Sequence, residues 1–139
     1  MENYEIIKHI DDFSKRISEL TKAVNVDGLN KWSDDDNKLM LDPSFYSDMN
    51  NAQKVLKRVK YNQDIIKTFK SLEELLEELQ LYFDMHKNGE DNLENEIVDI
   101  IKTLDETETI LYNNSEVINM NELWKGIVIT GVSVAVHVR

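Results

Sequence analysis

The sequence contains no cysteine, and this absence removes three kinds of site. Without a thiol there is no disulfide framework, no thiolate metal centre and no cysteine nucleophile. A chain without disulfides suits a reducing compartment, so we expect a cytoplasmic protein. Its 139 residues suit one domain, or one domain and a fragment of a second. A chain of that length is able to bury a hydrophobic core without covalent cross-links.

Proline and glycine are also scarce, with one proline and four glycines. Because these residues most often interrupt regular structure, we expect long uninterrupted helices between them. Met1 to Glu5 lack the basic and apolar parts of a signal peptide. The longest mostly apolar stretch, Ile127 to Val138, is shorter than the roughly 20 residues that cross a bilayer. The sequence therefore predicts neither a signal peptide nor a transmembrane segment.

The charge is strongly negative, at −11. The whole excess lies in residues 1–115, which hold 14 basic and 25 acidic residues. An acidic surface repels the phosphate backbone of nucleic acids. We therefore expect no direct nucleic-acid binding by this chain and no association with membranes.

Apolar residues at heptad spacing predict a first helix over residues 2–25. They are Ile6, Ile10, Phe13, Ile17, Leu20 and Val24. A short second helix follows, for which we predict Asp27 as the N-cap and an end at Asp42-Pro43. Its predicted apolar stripe is Leu29, Trp32, Leu39 and Met40. The three residues 34–36 are all Asp and should face water.

A long third helix is predicted between an Asp48 N-cap and the pair Asn88-Gly89, where glycine suits the left-handed position after a helix. Its apolar residues recur at steps of three, four or seven. They are Ala52, Val55, Val59, Ile66, Phe69, Leu72, Leu76, Leu79 and Phe83. Asn62 stands at an expected apolar position, which predicts a kink or a change of register.

A fourth helix is predicted from about Asn92 to Tyr112, opened by a capping box that begins at Asp91. The predicted fold is an all-α helical bundle that contains one long antiparallel helix pair. The predicted core is Ile10, Phe13, Ile17, Leu20, Phe45, Tyr46, Val59, Phe69, Leu76, Leu79, Ile97, Ile100 and Leu104.

After Trp124 the periodicity changes to two, and β-branched residues predominate between Ile127 and Val138. This pattern predicts a short C-terminal β-strand without a partner. We therefore expect two regions, an acidic helical bundle over 1–115 and the start of a β-rich domain over 116–139.

No catalytic, cofactor-binding or metal-binding residue is predicted. The three histidines, His9, His86 and His137, are scattered and lack metal-ligand spacing. Asp34 and Asp36 begin a pattern similar to a calcium loop, but the glycine and glutamate that such a loop needs are absent. Four glutamates, Glu73, Glu74, Glu77 and Glu78, are typical of a solvated helix face.

One motif carries a family resemblance. The segment Leu41-Asp42-Pro43-Ser44-Phe45-Tyr46-Ser47-Asp48, followed by Ala52-Gln53-Lys54, resembles the start of the bacterial class I peptide chain release factors, release factor 2 in particular. In that family a helix ends at Asp-Pro, an aromatic pair follows, and Ala-Gln opens a long helix. Tyr46 replaces the usual Trp. The similarity covers about residues 6–129.

The resemblance implies the N-terminal helical domain of a translation termination factor. In the family this domain lies near the GTPase-associated region of the ribosome and faces the GTPase that recycles release factors. The family's codon-reading Ser-Pro-Phe has no counterpart here, since the single proline follows Asp42, and its Gly-Gly-Gln motif has none, since no two glycines are adjacent. The expectation is therefore a docking domain that is inactive alone, not an enzyme, truncated or interrupted in frame before those motifs.

Two other interpretations stay open. The first is an acidic helical adaptor or coiled-coil protein with no role in termination, which predicts heptad pairing between chains. The second is a small enzyme with buried carboxylates, which predicts perturbed titration of those groups.

Overall fold

The computed structural model describes residues 1–89 and 92–114, which form four α-helices and a short 3-10 turn. The helices are α1 (Asn3–Val24), α2 (Val26–Met40), α3 (Met49–Lys87) and α4 (Glu94–Asn114), and the turn is Phe45–Ser47. The all-α prediction is confirmed. The predicted strand after Trp124 and the domain boundary at residue 115 fall beyond the part of the chain that the structure describes.

The joint between α1 and α2 is a single residue, Asn25, in the left-handed conformation with φ 57°. Its backbone N–H donates to the carbonyls of Thr21 and Lys22, and its side-chain oxygen accepts the N–H of Gly28 at 3.2 Å. A Cβ at Gly28 would lie 2.4 Å from Nδ2 of Asn25, so a larger residue would displace the side chain that caps α2. The prediction of Asp27 as the N-cap is wrong, because asparagine tolerates the left-handed conformation and ends one helix while capping the next.

The other predicted helix ends are largely confirmed. Helix α2 ends at Met40, shortly before Pro43, and Oδ1 of Asp48 caps α3 by accepting the N–H of Asn51 at 3.1 Å. Gly89 has φ 75° after the end of α3. Helix α4 begins at Glu94, whose N–H donates to Oδ1 of Asn92 at 3.3 Å. The capping box predicted from Asp91 is not among the described residues.

Helix α3 is the central element, with 39 residues and a length of about 58 Å at 1.5 Å per residue. Helices α1 and α2 pack along it one after the other in the opposite direction, and α4 returns along its second half. The predicted long antiparallel pair, α3 and α4, is confirmed. Arg16 of α1 pairs with Glu108 of α4, and the N-terminal amino group pairs with Glu94, so α1 and α4 run parallel.

This arrangement divides the molecule into two ends. The three-helix end consists of α1, α4 and the second half of α3, and the two-helix end consists of α2, the 3-10 turn and the first half of α3. The large core of the three-helix end consists of Ile6, Phe13, Ile17, Leu20, Val24, Ile65, Phe69, Leu72, Leu79, Phe83, Ile97, Ile100, Ile101, Leu104 and Leu111. The small core of the two-helix end consists of Phe45, Ala52, Val55 and Val59, with Met40 against it.

Asn62 lies between these two cores on the buried side of α3 and is only 3% exposed. Its side-chain nitrogen has no hydrogen-bond partner among the described residues. Helix α3 continues through this position without a break. Ile65 is the next buried residue, whereas Ile66, which was expected in the stripe, is half-buried. The buried amide therefore separates the two cores without interrupting the helix.

Most of the predicted core is confirmed. Ile10 and Leu76 are half-buried at the edge of the large core. The prediction for Tyr46 is wrong, because this ring packs edge-on against Phe45, with centroids 4.8 Å apart, and stays 53% exposed. Only the first ring of the aromatic pair fills the small core. The residues of the predicted core that are confirmed as buried are Phe13, Ile17, Leu20, Phe45, Val59, Phe69, Leu79, Ile97, Ile100 and Leu104.

Candidate docking surface

A bidentate ion pair joins the two helices of the two-helix end. Nε of Arg58 lies 2.8 Å from Oδ2 of Asp36, and its Nη2 lies 2.6 Å from Oδ1. The side chain of Asp36 is 9% exposed, whereas that of Arg58 is 45% exposed. The hydrogen bonds to Asp36 raise the pKa of Arg58 above its ordinary value. Two parallel bonds between planar groups also fix the relative orientation of α2 and α3.

This pair corrects the predicted apolar stripe of α2 in part, since Leu29 and Met40 pack against the two cores as predicted. Asp36 and Ser33 are buried, whereas Trp32 and Leu39 are exposed. The burial of Asp36 has a physical reason, since a buried carboxylate is tolerated when a guanidinium binds it in two places. Periodicity alone misses this contact, because Arg58 lies 22 residues from Asp36 in the sequence.

An open cleft of about 270 Å³ lies beside the ion pair, lined by Trp32, Asp35, Asp36 and Arg58. Trp32, at the edge of this cleft, is 59% exposed. Since the guanidinium already binds Asp36, the cleft presents an aromatic ring and a free carboxylate, Asp35, rather than an anion-binding site. A shallow cleft of this kind is suited to a contact with another macromolecule rather than to enclosing a small substrate.

Exposed apolar side chains are numerous at the two-helix end. Of the thirteen large apolar side chains exposed among the described residues, seven lie between residues 32 and 61. Apolar groups concentrated on a surface often mark an interaction site. These seven are Trp32, Leu39, Leu41, Tyr46, Met49, Leu56 and Tyr61.

The second buried carboxylate, Glu108, is at the three-helix end and is also held by an arginine. Nε of Arg16 lies 3.2 and 3.1 Å from its two oxygens, and the guanidinium lies 4.7 Å from the ring centroid of Phe13. Burial opposes the charged form of Arg16, but the hydrogen bond and the negative charge of Glu108 raise its pKa. Asp36 and Glu108 thus each join two helices.

The histidines and glutamates considered in the sequence analysis do not come together in a site among the described residues. His9 stacks on Phe13 with centroids 6.3 Å apart, and Nδ1 of His86 accepts the N–H of Leu93 at 3.3 Å. His137 is not described. Over residues 1–89 and 92–114 no group of three or more histidine or carboxylate side chains is placed to hold a metal ion. The four glutamates expected on a solvated face, Glu73, Glu74, Glu77 and Glu78, are all exposed, which confirms that prediction.

No helix within the described part of the chain is both long enough and apolar enough to span a bilayer.

Comparison with known proteins gives a consistent answer. The peptide chain release factor 2 of Acholeplasma laidlawii is 27% identical over 119 residues, which cover 84% of this chain and 33% of that protein. The peptide chain release factor 2 of Petrotoga mobilis is 30% identical over 88 residues, which cover 63% of this chain and 24% of that protein. The chain is similar to bacterial peptide chain release factor 2. It spans about a third of the length of the first relative and a quarter of the second.

The resemblance to release factor 2 predicted from the motif is therefore confirmed. No family model and no solved structure matches the chain. The motif lies entirely at the two-helix end, where Asp42 stabilises the turn, Phe45 fills the small core and Asp48 caps α3. Ala52 is buried there, on the side of α3 that faces this core. The residues of this motif thus build the end that carries the exposed tryptophan.

Proposed function

We propose that residues 1–115 are the docking domain of a translation termination protein of the release factor 2 type. In this proposal the domain binds the ribosome near its GTPase-associated region and faces the GTPase that recycles release factors, in the cytoplasm. The observation that carries the proposal is the similarity to release factor 2 across 84% of the chain.

The described surface supports a role in binding. The two-helix end presents Trp32 beside a rigid ion pair, and tryptophan is among the residues that most often dominate the energy of an interface. In the proposal these residues dock the domain, and they neither read a codon nor promote hydrolysis of peptidyl-tRNA. The sequence supports this division, because it holds neither Ser-Pro-Phe nor Gly-Gly-Gln.

The coiled-coil alternative receives less support. The apolar heptad of α1 is directed into the bundle, where Phe13, Ile17 and Leu20 are buried against other parts of the same chain. A stripe that is covered within one chain is not free to pair with a second copy.

Co-sedimentation with ribosomes tests the proposal. Purified protein would be mixed with 70S ribosomes paused at a stop codon, and binding would be measured with and without a full-length bacterial release factor 2 as competitor. We expect saturable binding that the competitor displaces, and no release of the nascent peptide. Trp32→Ala should weaken binding about tenfold or more, as the loss of a central aromatic does.

Tyr4→Ala is the matched control, since Tyr4 is an aromatic residue on α1 that is 72% exposed at the three-helix end. We expect it to leave ribosome binding unchanged. Binding that does not saturate, or that the competitor fails to displace, would contradict the proposed function. Release of peptide by residues 1–139 alone would contradict the division of roles.

A further inference from the structure

Helix α3 changes the sign of its charge along its length. Residues 49–70 contain six basic side chains, against one carboxylate, Asp64. Residues 71–87 contain four glutamates and Asp84, against Lys87 and His86. Residues 49–60 of the basic half belong to the two-helix end, and Lys67 and Lys70 lie beside the first residues of the large core, Ile65 and Phe69. The most acidic part of the helix lies further along, at the three-helix end. The six basic residues are Lys54, Lys57, Arg58, Lys60, Lys67 and Lys70.

Four of these lysines share one side of the helix. Lys54, Lys57, Lys60 and Lys67 follow one another at intervals of three, three and seven residues, which places them on one broad face. All four are exposed, and the buried residues of the small core lie on the other side of α3. At 1.5 Å per residue the four positions span about 20 Å. We call these four residues the lysine face.

The positive charge of the lysine face is only partly neutralised. Lys60 lies 3.6 Å from Asp64, and both side chains are well exposed, so the attraction is weak. Lys54, Lys57 and Lys67 have no ion pair with any residue that the structure describes. Asp36, the buried carboxylate of the adjoining helix, is already bound to Arg58.

The net charge of −11 does not cancel this local charge. The screening length at physiological ionic strength is about 8 Å. Lys57 and Glu77 are 20 residues apart on one helix, a distance of about 30 Å. A ligand at Lys54, Lys57 and Lys60 therefore experiences mainly these lysines, whereas Lys67 is six residues from Glu73, a distance of about 9 Å along the helix.

We propose that the lysine face binds the phosphate backbone of RNA. The proposal rests on the proposed function and deepens it, since it names RNA as the component of the ribosome that this face contacts. Ammonium groups at intervals along a straight helix suit a line of phosphates, and binding releases the counterions condensed there. It replaces our expectation from the net charge that the chain does not bind nucleic acid, because that expectation averaged over both ends.

Fluorescence anisotropy with a labelled RNA duplex of about 16 base pairs tests this inference, since contacts to phosphate need no particular sequence. The variant that removes the lysine face carries Lys54→Gln, Lys57→Gln, Lys60→Gln and Lys67→Gln. The matched control carries Lys8→Gln, Lys15→Gln, Lys22→Gln and Lys102→Gln, which are exposed at the three-helix end and change the net charge equally. Circular dichroism would verify that both variants are folded.

We expect the wild type and the control to bind the duplex with the same affinity within about twofold, and the lysine-face variant to bind at least tenfold more weakly. Four phosphate contacts predict a slope of log affinity against log salt of about −3.6, at −0.9 per contact, which should approach zero in the lysine-face variant. Equal weakening of the two variants, or no binding of the duplex by the wild type, would overturn the inference.

Poly-glutamate is the competitor that separates RNA from an acidic protein. Poly-glutamate and unlabelled RNA would be compared at equal total charge. If poly-glutamate displaces the labelled duplex as effectively as unlabelled RNA does, the lysine face fits an acidic protein and the RNA inference is wrong. The assay is also separable from co-sedimentation with ribosomes. A chain that sediments with ribosomes but does not bind the duplex retains the proposed function and loses this inference, whereas the converse result removes the proposed function.

Discussion

The two ends of the molecule use the same helix in different ways. Among the described residues, fifteen buried apolar side chains form the large core of the three-helix end, and four form the small core of the two-helix end. The small core is supplemented by polar contacts, namely the pair of Asp36 with Arg58 and the turn at Asp42. The exposed tryptophan and most of the lysine face belong to this thinly packed end.

The difference indicates how stability and binding are divided. A third helix covers α3 at one end and buries its apolar side chains, which supplies most of the hydrophobic free energy of folding. At the other end the absence of that cover among the described residues leaves α3 accessible over much of its circumference. Surfaces used in recognition are commonly drawn from such less stable parts of a protein.

The largest expected effect is at the three-helix end. Phe69→Ala should lower the free energy of unfolding by about 3–5 kcal/mol, because it empties a fully buried position in the large core. Val59→Ala in the small core should cost about 2 kcal/mol, since fewer methyl groups are lost and the site is less enclosed. Urea denaturation followed by circular dichroism measures both. Equal losses of unfolding free energy in the two variants would show that the two cores contribute equally to stability.

The buried amide between the cores should give an intermediate effect of opposite sign. Asn62→Leu replaces a side chain that lacks a hydrogen-bond partner by an apolar one of similar shape. We expect the free energy of unfolding to rise by about 1–3 kcal/mol, the usual cost of an unsatisfied buried polar group. Gln63→Leu, at the exposed neighbouring position, is the control and should change stability by less than about 0.5 kcal/mol. A lower free energy of unfolding in the Asn62→Leu variant would mean that the buried amide contributes to the stability of the folded state.

The smallest effect is a dependence on pH at the two-helix end. The pKa of Asp42 is lowered because its carboxylate accepts the backbone N–H and the hydroxyl of Ser44. A lowered pKa in the folded state contributes stability above the unfolded value of 3.8, and this is lost as the pH falls through the folded value. The wild type should therefore be more stable than Asp42→Asn at pH 6, and the difference should shrink below about pH 4.

Ser44→Ala provides a graded comparison for that measurement, because it removes the hydroxyl donor and retains the backbone N–H. Its dependence on pH should fall between those of the wild type and Asp42→Asn in the same denaturation experiment. A difference between the wild type and Asp42→Asn that stays constant from pH 6 to pH 2 would contradict the assignment to Asp42.

Local signals predicted most of the fold. Asp48 and Gly89 fix the ends of α3 through their own backbone and side-chain chemistry, and such signals are legible in a few consecutive residues. The periodic spacing of apolar residues likewise predicts the core of α1 and α4. The orientation of α2 was not predictable this way, because burial of Asp36 depends on Arg58 in another helix.

The candidate site was less accessible to sequence reasoning. The resemblance at residues 41–54 indicated the similarity to release factor 2, but the exposure of Trp32 accompanies the burial of Asp36 against Arg58. The lysine face was visible in the sequence as a run of basic residues from Lys54 onward, yet the net charge concealed it. Summing the charge over separate regions, rather than over the whole chain, reveals such a face.

The length of α3 also has a mechanical consequence. A continuous helix of 39 residues acts as a lever about 58 Å long. If one end is held on a surface, a tilt of about 5° there displaces the far end by about 5 Å, close to one helical turn. Small changes of angle where the basic half is anchored would therefore become large changes in the position of the acidic half.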